Sequence, residues 1–284
     1  IRLIKPITFP VTTMSLLYDE ETKEFKDKEY AELTAEEWAK GGSFFCYMNS
    51  NPAALASCCR VLSEMDNNTF SSTTGMNGEM TGSCNVITLN INRIIQNCAK
   101  VYEFTGGWRE NSDFIKSCLH EVLERVYKYQ IAFKTMLYDM EDKGMFVSSN
   151  ANYIYMKKLY STIGVIGYME AAEFLGITIG NNDEYKDFLS LILGYINEQN
   201  KAHNINDKKR PFKFNSEAIP GENLGVKLYN WDKADGYKIT EGRERYSCYF
   251  FNPWDKNTSV IDKIKLHGGR IAKSISGGQA SHIN

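Results

Sequence analysis

Ser112 to Gly144 narrows the folding possibilities more than any other segment, because it reads as one long amphipathic helix. Phe114, Ile115, Cys118, Leu119, Val122, Leu123 and Val126 form a continuous apolar stripe at helical spacing. At 1.5 Å per residue such a helix reaches about 45 Å. A second apolar helix is expected over roughly 155–175, ending at Gly176, with Gly164, Gly167, Ala171 and Ala172 allowing close packing. A third runs from about Glu184 to His203.

Strand signals alternate with these helices. Ile7 to Tyr18 is β-rich, and Ser43 to Met48 reads as a short strand. Asn85 to Asn92 alternates, with Ile87, Leu89 and Ile91 on one side and Val86, Thr88, Asn90 and Asn92 on the other. Polar groups on one face suit an inner barrel strand that meets a ligand. Thr34-Ala35-Glu36-Glu37 has the form of a capping box, opening a short helix that stops at Gly41-Gly42. Propensity alone favours a helix from Asn51 to Cys59, with Pro52 at its first position. Residues 70–83 read as a loop, and short strands and turns are expected from Lys208 onward. The pattern is α/β, without internal repeats or a low-complexity linker, and residues 1–284 are read as one unit or a large piece of one.

The 33 Lys and Arg against 35 Asp and Glu leave a net charge of −2, which excludes a protein that wraps polyanions. Mean hydropathy of −0.40 with 43% hydrophobic residues excludes a membrane protein and argues against disorder. The seven cysteines are irregularly spaced and include no C-x-x-C pair, so neither a zinc knuckle nor a redox dithiol motif is signalled. Free thiols point to a reducing cytoplasm. Ile1 opens directly into strand-like sequence with no signal peptide, and both ends look cut, as in a fragment, a processed chain or a split protein.

Three features could carry chemistry. Cys58-Cys59 are neighbours that cannot easily bridge each other, so they read as single thiols. They are either ordinary buried helix residues or a thiol presented on a loop beside substrate. Pro220-Gly221 makes a turn, and Glu222, Asn223 and the following amides form either a surface turn or a polar-ligand site at a helix start. The glycines near His267 and at Ser276 to His282 fit neither a Walker loop nor a dinucleotide fingerprint. The spacing of His120, His203, His267 and His282 suggests no metal hydrolase, and His120 is expected to face solvent.

Taken in order, several stretches resemble the anaerobic (class III) ribonucleoside-triphosphate reductases, a family of glycyl-radical enzymes. They are Ser43-Phe44-Phe45, Leu55 to Arg60 (LASCCR), Thr81-Gly82-Ser83 with Val86 to Asn90, Gly164 to Gly176 (GVIGYMEAAEFLG), Ser216 to Val226 (SEAIPGENLGV), Trp231-Asp232-Lys233 and Ser276 to Asn284 (SGGQASHIN). The resemblance implies part of a ten-stranded α/β barrel with a central finger loop, which replaces the helix expected at Asn51 to Cys59. It implies that a loop cysteine becomes a thiyl radical. Cys59, directly before Arg60, fits best and Cys58 is the second choice. Cys84 is either a redox partner or a buried structural thiol. Ser57, Asn90, Ser216, Glu222, Asn223 and Leu224 are the implied substrate-binding residues. Val61 stands where aerobic relatives carry Glu, which fits the anaerobic branch.

The resemblance further implies that 1–284 lacks an N-terminal regulatory region and a C-terminal region with the glycyl radical and a zinc site. No cofactor is then expected on this segment, and the isolated chain is expected to be inactive. Its partners would be a ribonucleoside triphosphate, the remaining reductase in cis or trans, an AdoMet-dependent 4Fe-4S activase and formate or a redoxin, in a homodimer away from membranes. The alternatives are a pyruvate formate-lyase-like acyltransferase and an inactive barrel scaffold.

Overall fold

The computed structural model describes residues 12–42, 44–50, 54–56, 62–64, 82–219, 221–252, 255, 258–277 and 279. The chain divides into two compact units: Ile1–Gly82 with Ser148–Tyr155, and Ser83–Val147 with Met156–Asn284.

In the first unit, β1 (Thr12–Asp19) pairs antiparallel with β2 (Glu24–Phe25) and parallel with β3 (Phe44–Asn49). Between β2 and β3 lies α1 (Lys28–Ala39), capped by Asp27, whose carboxylate accepts from the Tyr30 amide at 2.9 Å. The expected capping box at Thr34 to Glu37 is therefore corrected: it lies inside α1. Buried Thr34 turns its hydroxyl back to the Tyr30 carbonyl at 2.7 Å, so it cannot cap. The stop at Gly41-Gly42 forms as expected. Gly41 adopts φ +81°, and the Gly42 and Gly41 amides bond the Glu37 and Trp38 carbonyls, both at 2.9 Å.

Helix propensity at Asn51 to Cys59 is overturned where the structure describes it. β4 (Ala54–Ala56) and β5 (Leu62–Glu64) pair antiparallel, with Ala56 opposite Leu62. Strand pairing outweighs local preference here. The loop tip that the resemblance implies falls on residues 57–61, outside the described residues, as does most of the loop read at 70–83.

The second unit is built on a parallel sheet of β6 (Ser83–Asn90), β7 (Tyr160–Ile166) and β8 (Lys213–Ala218), in that order. Strand β6 ends at Asn90, not Asn92: the Asn90 side chain accepts from the Arg93 amide at 3.1 Å and starts α2 (Ile91–Val101). Helix α3 (Ser112–Asp142) appears as expected and buries Ile115, Leu119, Leu123 and Val126, while Phe114 stays partly exposed. A short turn of helix, α4 (Val147–Asn150), follows it in sequence and belongs, from Ser148 on, to the first unit.

The helix expected over 155–175 is corrected. Its first half is the central strand β7, and only Tyr168–Phe174 is helical, as α5. Residues 161–166 are buried on both faces, Ser161 and Thr162 included, so their sequence carries no inside–outside period that separates strand from helix. Gly167, at φ +77°, makes the turn between them. Helix α6 (Asp183–His203) matches its expectation.

Of the short strands and turns expected beyond Lys208, the turns are found over much of 235–252, whereas the strands are corrected: among the described residues there, β8 is the one strand. Helices α7 (Glu222–Ala234), α8 (Val260–His267) and α9 (Gly269–Ser274) follow it.

The architecture is α/β as expected. Among the described residues the strands form sheets of three, two and three strands, without closing into a barrel. No helix among the described residues is long and apolar enough to cross a membrane.

Candidate active site

In an open parallel sheet, ligands gather beyond the carboxyl ends of the strands. In the second unit that edge carries Asn90, Gly167 and the β8–α7 turn. The turn is tight: the Gly221 amide donates to the Ile219 carbonyl at 2.9 Å. Gly221 then leads into α7 without a side-chain cap, so the first-turn amides of α7 lack an internal acceptor.

Helix α7 is held to the end of β6 by a buried carboxylate. Asp232, fully buried, accepts from Asn90 Nδ2 at 2.9 Å, Arg93 Nε at 2.6 Å and the Tyr246 hydroxyl at 2.5 Å. Arg93 also reaches Asp235 at 2.6 Å. Burial, followed by the bond to Asp232, raises the Tyr246 phenol well above its ordinary value. Tyr246 also presses on the first turn of α7. Its amide donates to the Gly225 carbonyl at 3.1 Å, and a Cβ on Gly225 would lie 2.7 Å from the Tyr246 carbonyl oxygen.

One sheet face carries a chain of buried and half-buried polar groups. Ser83 Oγ lies 2.8 Å from Thr162 Oγ1, which donates to Asn215 Oδ1 at 2.7 Å. Thr88, Gly164 and Glu217 continue this face in register. A Cβ on Gly164 would lie 2.6 Å from Thr88 Oγ1 and 2.5 Å from Ile219 Cγ1, so glycine there admits the chain that crosses over the sheet. This polar face agrees with the alternation read in β6 from Val86 to Asn90.

The structure separates several expected site residues. Ser57, Cys58 and Cys59 lie outside the described residues. Cys84 sits at the amino end of β6, a free and half-buried thiol bonded to the Tyr160 carbonyl at 3.2 Å. Asn90 lies six positions further along the strand, about 20 Å away, so Cys84 is not at the carboxyl edge. Asn90 is there, with both side-chain ends engaged by Arg93 and Asp232.

Ser216 is fully buried within β8. Its amide donates to Ser276 Oγ at 3.2 Å and its carbonyl accepts from the Gly277 amide at 2.7 Å. Its hydroxyl has no partner among the described residues. Glu222 opens α7. Asn223 is exposed, and Leu224 packs against the cluster of Ile166, Leu228, Tyr229, Tyr246 and Cys248. Glu222 and Asn223 thus stand at the start of α7, whereas Leu224 packs into the core.

His120 is exposed, as expected. His267 is buried between Phe250 and Phe251, and burial lowers it to about 4. His282 lies outside the described residues. Among the described residues no group of three or more His, Cys, Asp or Glu side chains could hold a metal ion.

Sequence reasoning missed Arg93, Glu170 and Tyr246, and quoted Asp232 only within a motif. Glu170 is 3% exposed and accepts from the Ser247 amide at 2.9 Å; burial pushes its carboxyl up to about 7, against the pull of that bond and of Arg243. An acidic residue inside the apolar run GVIGYMEAAEFLG was the available signal.

A family profile described as anaerobic ribonucleoside-triphosphate reductase matches residues 2–284. Among solved structures, the anaerobic ribonucleotide reductase of Thermotoga maritima in complex with dATP and CTP superposes with a TM-score of 0.73 at 24% identity, over 96% of this chain and 42% of that one. The same enzyme with citrate in the active site gives 0.73 at 25% identity, over 98% and 46%. With dATP in its specificity site it gives 0.74 at 22% identity, over 98% and 44%. The chain thus spans less than half the length of these solved relatives. A search of curated protein sequences finds no match. A profile that runs nearly end to end, over a sheet and helices that superpose on the same fold, leaves one assignment: the chain belongs to the anaerobic ribonucleoside-triphosphate reductase family.

Proposed function

We propose that residues 1–284 belong to the catalytic barrel of a cytoplasmic enzyme that reduces ribonucleoside triphosphates to deoxyribonucleoside triphosphates by thiyl-radical chemistry. The observation that carries this reading is the family match over 2–284. In the proposed reaction the Cys59 sulfur radical takes the 3′ hydrogen of the ribose, forming S–H and a carbon radical. The 2′ hydroxyl takes up a proton and leaves as water. Formate or a redoxin dithiol supplies the two electrons that, with a second proton, make the new C2′–H bond, and Cys59 returns its hydrogen atom to C3′. A neutral thiol suits this exchange because a hydrogen atom moves without charge separation, and a water-free interior protects the radical.

Support for the position of Cys59 comes from β4 and β5, whose antiparallel pairing brackets residues 57–61. The substrate phosphates would meet the amides of Gly221 to Leu224, where an uncapped helix start offers donors and positive potential. The rest of the reductase and an AdoMet-dependent activase would complete the active enzyme.

Cys59→Ser in the intact, activated protein is the test. Deoxynucleotide formation should fall below detection while the glycyl radical signal in electron paramagnetic resonance persists. Turnover at the parent rate would end the Cys59 assignment.

A further inference from the structure

The structure assigns to Cys98 and Cys118 a reversible disulfide, a modification site that joins α2 to α3 and lies apart from the chemistry proposed above. Three observations converge on the pair. First, Tyr102 and Phe114 stack with ring centroids 4.5 Å apart, fixing which turns of the two helices face each other. Cys98 stands one helical turn before Tyr102, and Cys118 one turn after Phe114. Because a face repeats every three to four residues, an antiparallel pair that matches 102 with 114 matches 98 with 118. Second, the Cys98 thiol donates to the Phe114 carbonyl at 3.2 Å. In a helix that carbonyl also accepts from the amide of Cys118, so the Cys98 sulfur lies against the backbone of Cys118. Third, the two thiols are close enough to perturb each other's ionisation.

Their exposures differ in a way that orders the chemistry. Cys98 is fully buried and Cys118 half-buried. A small disulfide oxidant can therefore meet only Cys118. The Cys118 thiolate attacks one sulfur of glutathione disulfide, forming a mixed disulfide and releasing one glutathione thiolate. The Cys98 thiolate then attacks the Cys118 sulfur and releases the second glutathione. Two protein thiols are oxidised to one disulfide, one glutathione disulfide is reduced to two thiols, and the protein's two protons pass to the leaving thiolates or to solvent. Burial raises both thiols, and Glu121 adds to the rise at each. The staple consequently forms slowly at neutral pH, and its rate grows about tenfold per pH unit as the thiolate fraction grows.

Trypsin places the two cysteines on separate peptides, 94–100 and 117–125, each with a single cysteine. After the intact protein is incubated with glutathione disulfide, mass spectrometry should find these two joined with loss of two hydrogens, and dithiothreitol should release them. Cys98→Ser should accumulate Cys118 as the glutathione mixed disulfide. Cys118→Ser should leave Cys98 unmodified. The idea is overturned if parent protein accumulates glutathionylated Cys118 beside free Cys98, if Cys98 is modified in Cys118→Ser, or if crosslinking is equally fast at pH 7 and pH 8.

Discussion

The two ends of the β6–β8 sheet handle buried polarity in opposite ways. At the amino end, the fully buried Lys134 ammonium bonds the Leu159 carbonyl at 2.6 Å, and Cys84 bonds the next carbonyl, of Tyr160, at 3.2 Å. Tyr138 and Phe212 offer their ring faces to the amine. Among the described residues no carboxylate forms an ion pair with Lys134, and burial lowers it from 10.5 to about 8. At the carboxyl end, Asp232 gathers three donors from α2, β6 and the segment after α7. A lone buried cation adjusts its proton affinity. A carboxylate surrounded by donors instead organises the backbone around it, and that end is where the family's chemistry is proposed.

Removing the organiser should have the largest effect. Asp232→Ala takes away the shared acceptor of the Tyr246 hydroxyl, Asn90 Nδ2 and Arg93 Nε, leaving Tyr246 with Asn92, Asn90 with the Arg93 amide and Arg93 with Asp235, and should lower the unfolding free energy by about 3 kcal/mol in urea denaturation. A loss below about 1 kcal/mol would show that the carboxyl end does not depend on this network. Next comes Gly225→Ala, which sets a methyl 2.7 Å from the Tyr246 main-chain oxygen. Overpacking against backbone should cost about 2 kcal/mol. Thermal unfolding would report it, and an unchanged midpoint would mean that α7 shifts freely.

The smallest effect at neutral pH belongs to Lys134→Met, which should change stability by less than about 1 kcal/mol because a poorly solvated charge is exchanged for apolar bulk. Its signature is in the pH profile. Between pH 8 and 10.5 the folded parent binds fewer protons at Lys134 than the unfolded chain does. Parent stability should thus rise with pH through that window, by about 3 kcal/mol at most. The variant should lack this rise, and an identical slope in both proteins would break the contrast between the two ends.

Legibility in the sequence followed the same division between local and remote causes. Helices α3 and α6 were readable because their apolar residues repeat at helical spacing over many turns. The α7 start was partly readable, since Pro220-Gly221 marks a turn before Glu222 and Asn223. Strand β7 was not, because a strand buried on both faces has no alternation to detect. Helix α7 itself was hidden by its Asn, Trp, Tyr and Gly content, which resembles turn sequence. Cys84 is a different case: the sequence left it as a redox partner of the proposed radical loop or a structural thiol, and the fold adds that it lies at the end of β6 away from Asn90.

Local pattern was enough to establish an α/β chain, most of its long helices and, through ordered motifs, its family. Those properties depend on spacing and identity within short windows, which the linear chain carries directly. The pairing of Asn90 and Arg93 with Asp232 and of Asn92 with Tyr246, across 139 to 154 positions, came only from the folded molecule. So did the burial that raises Glu170 and lowers Lys134. Desolvation and remote hydrogen bonds arise when distant segments exclude water together, and no local window of residues contains both halves of such a contact.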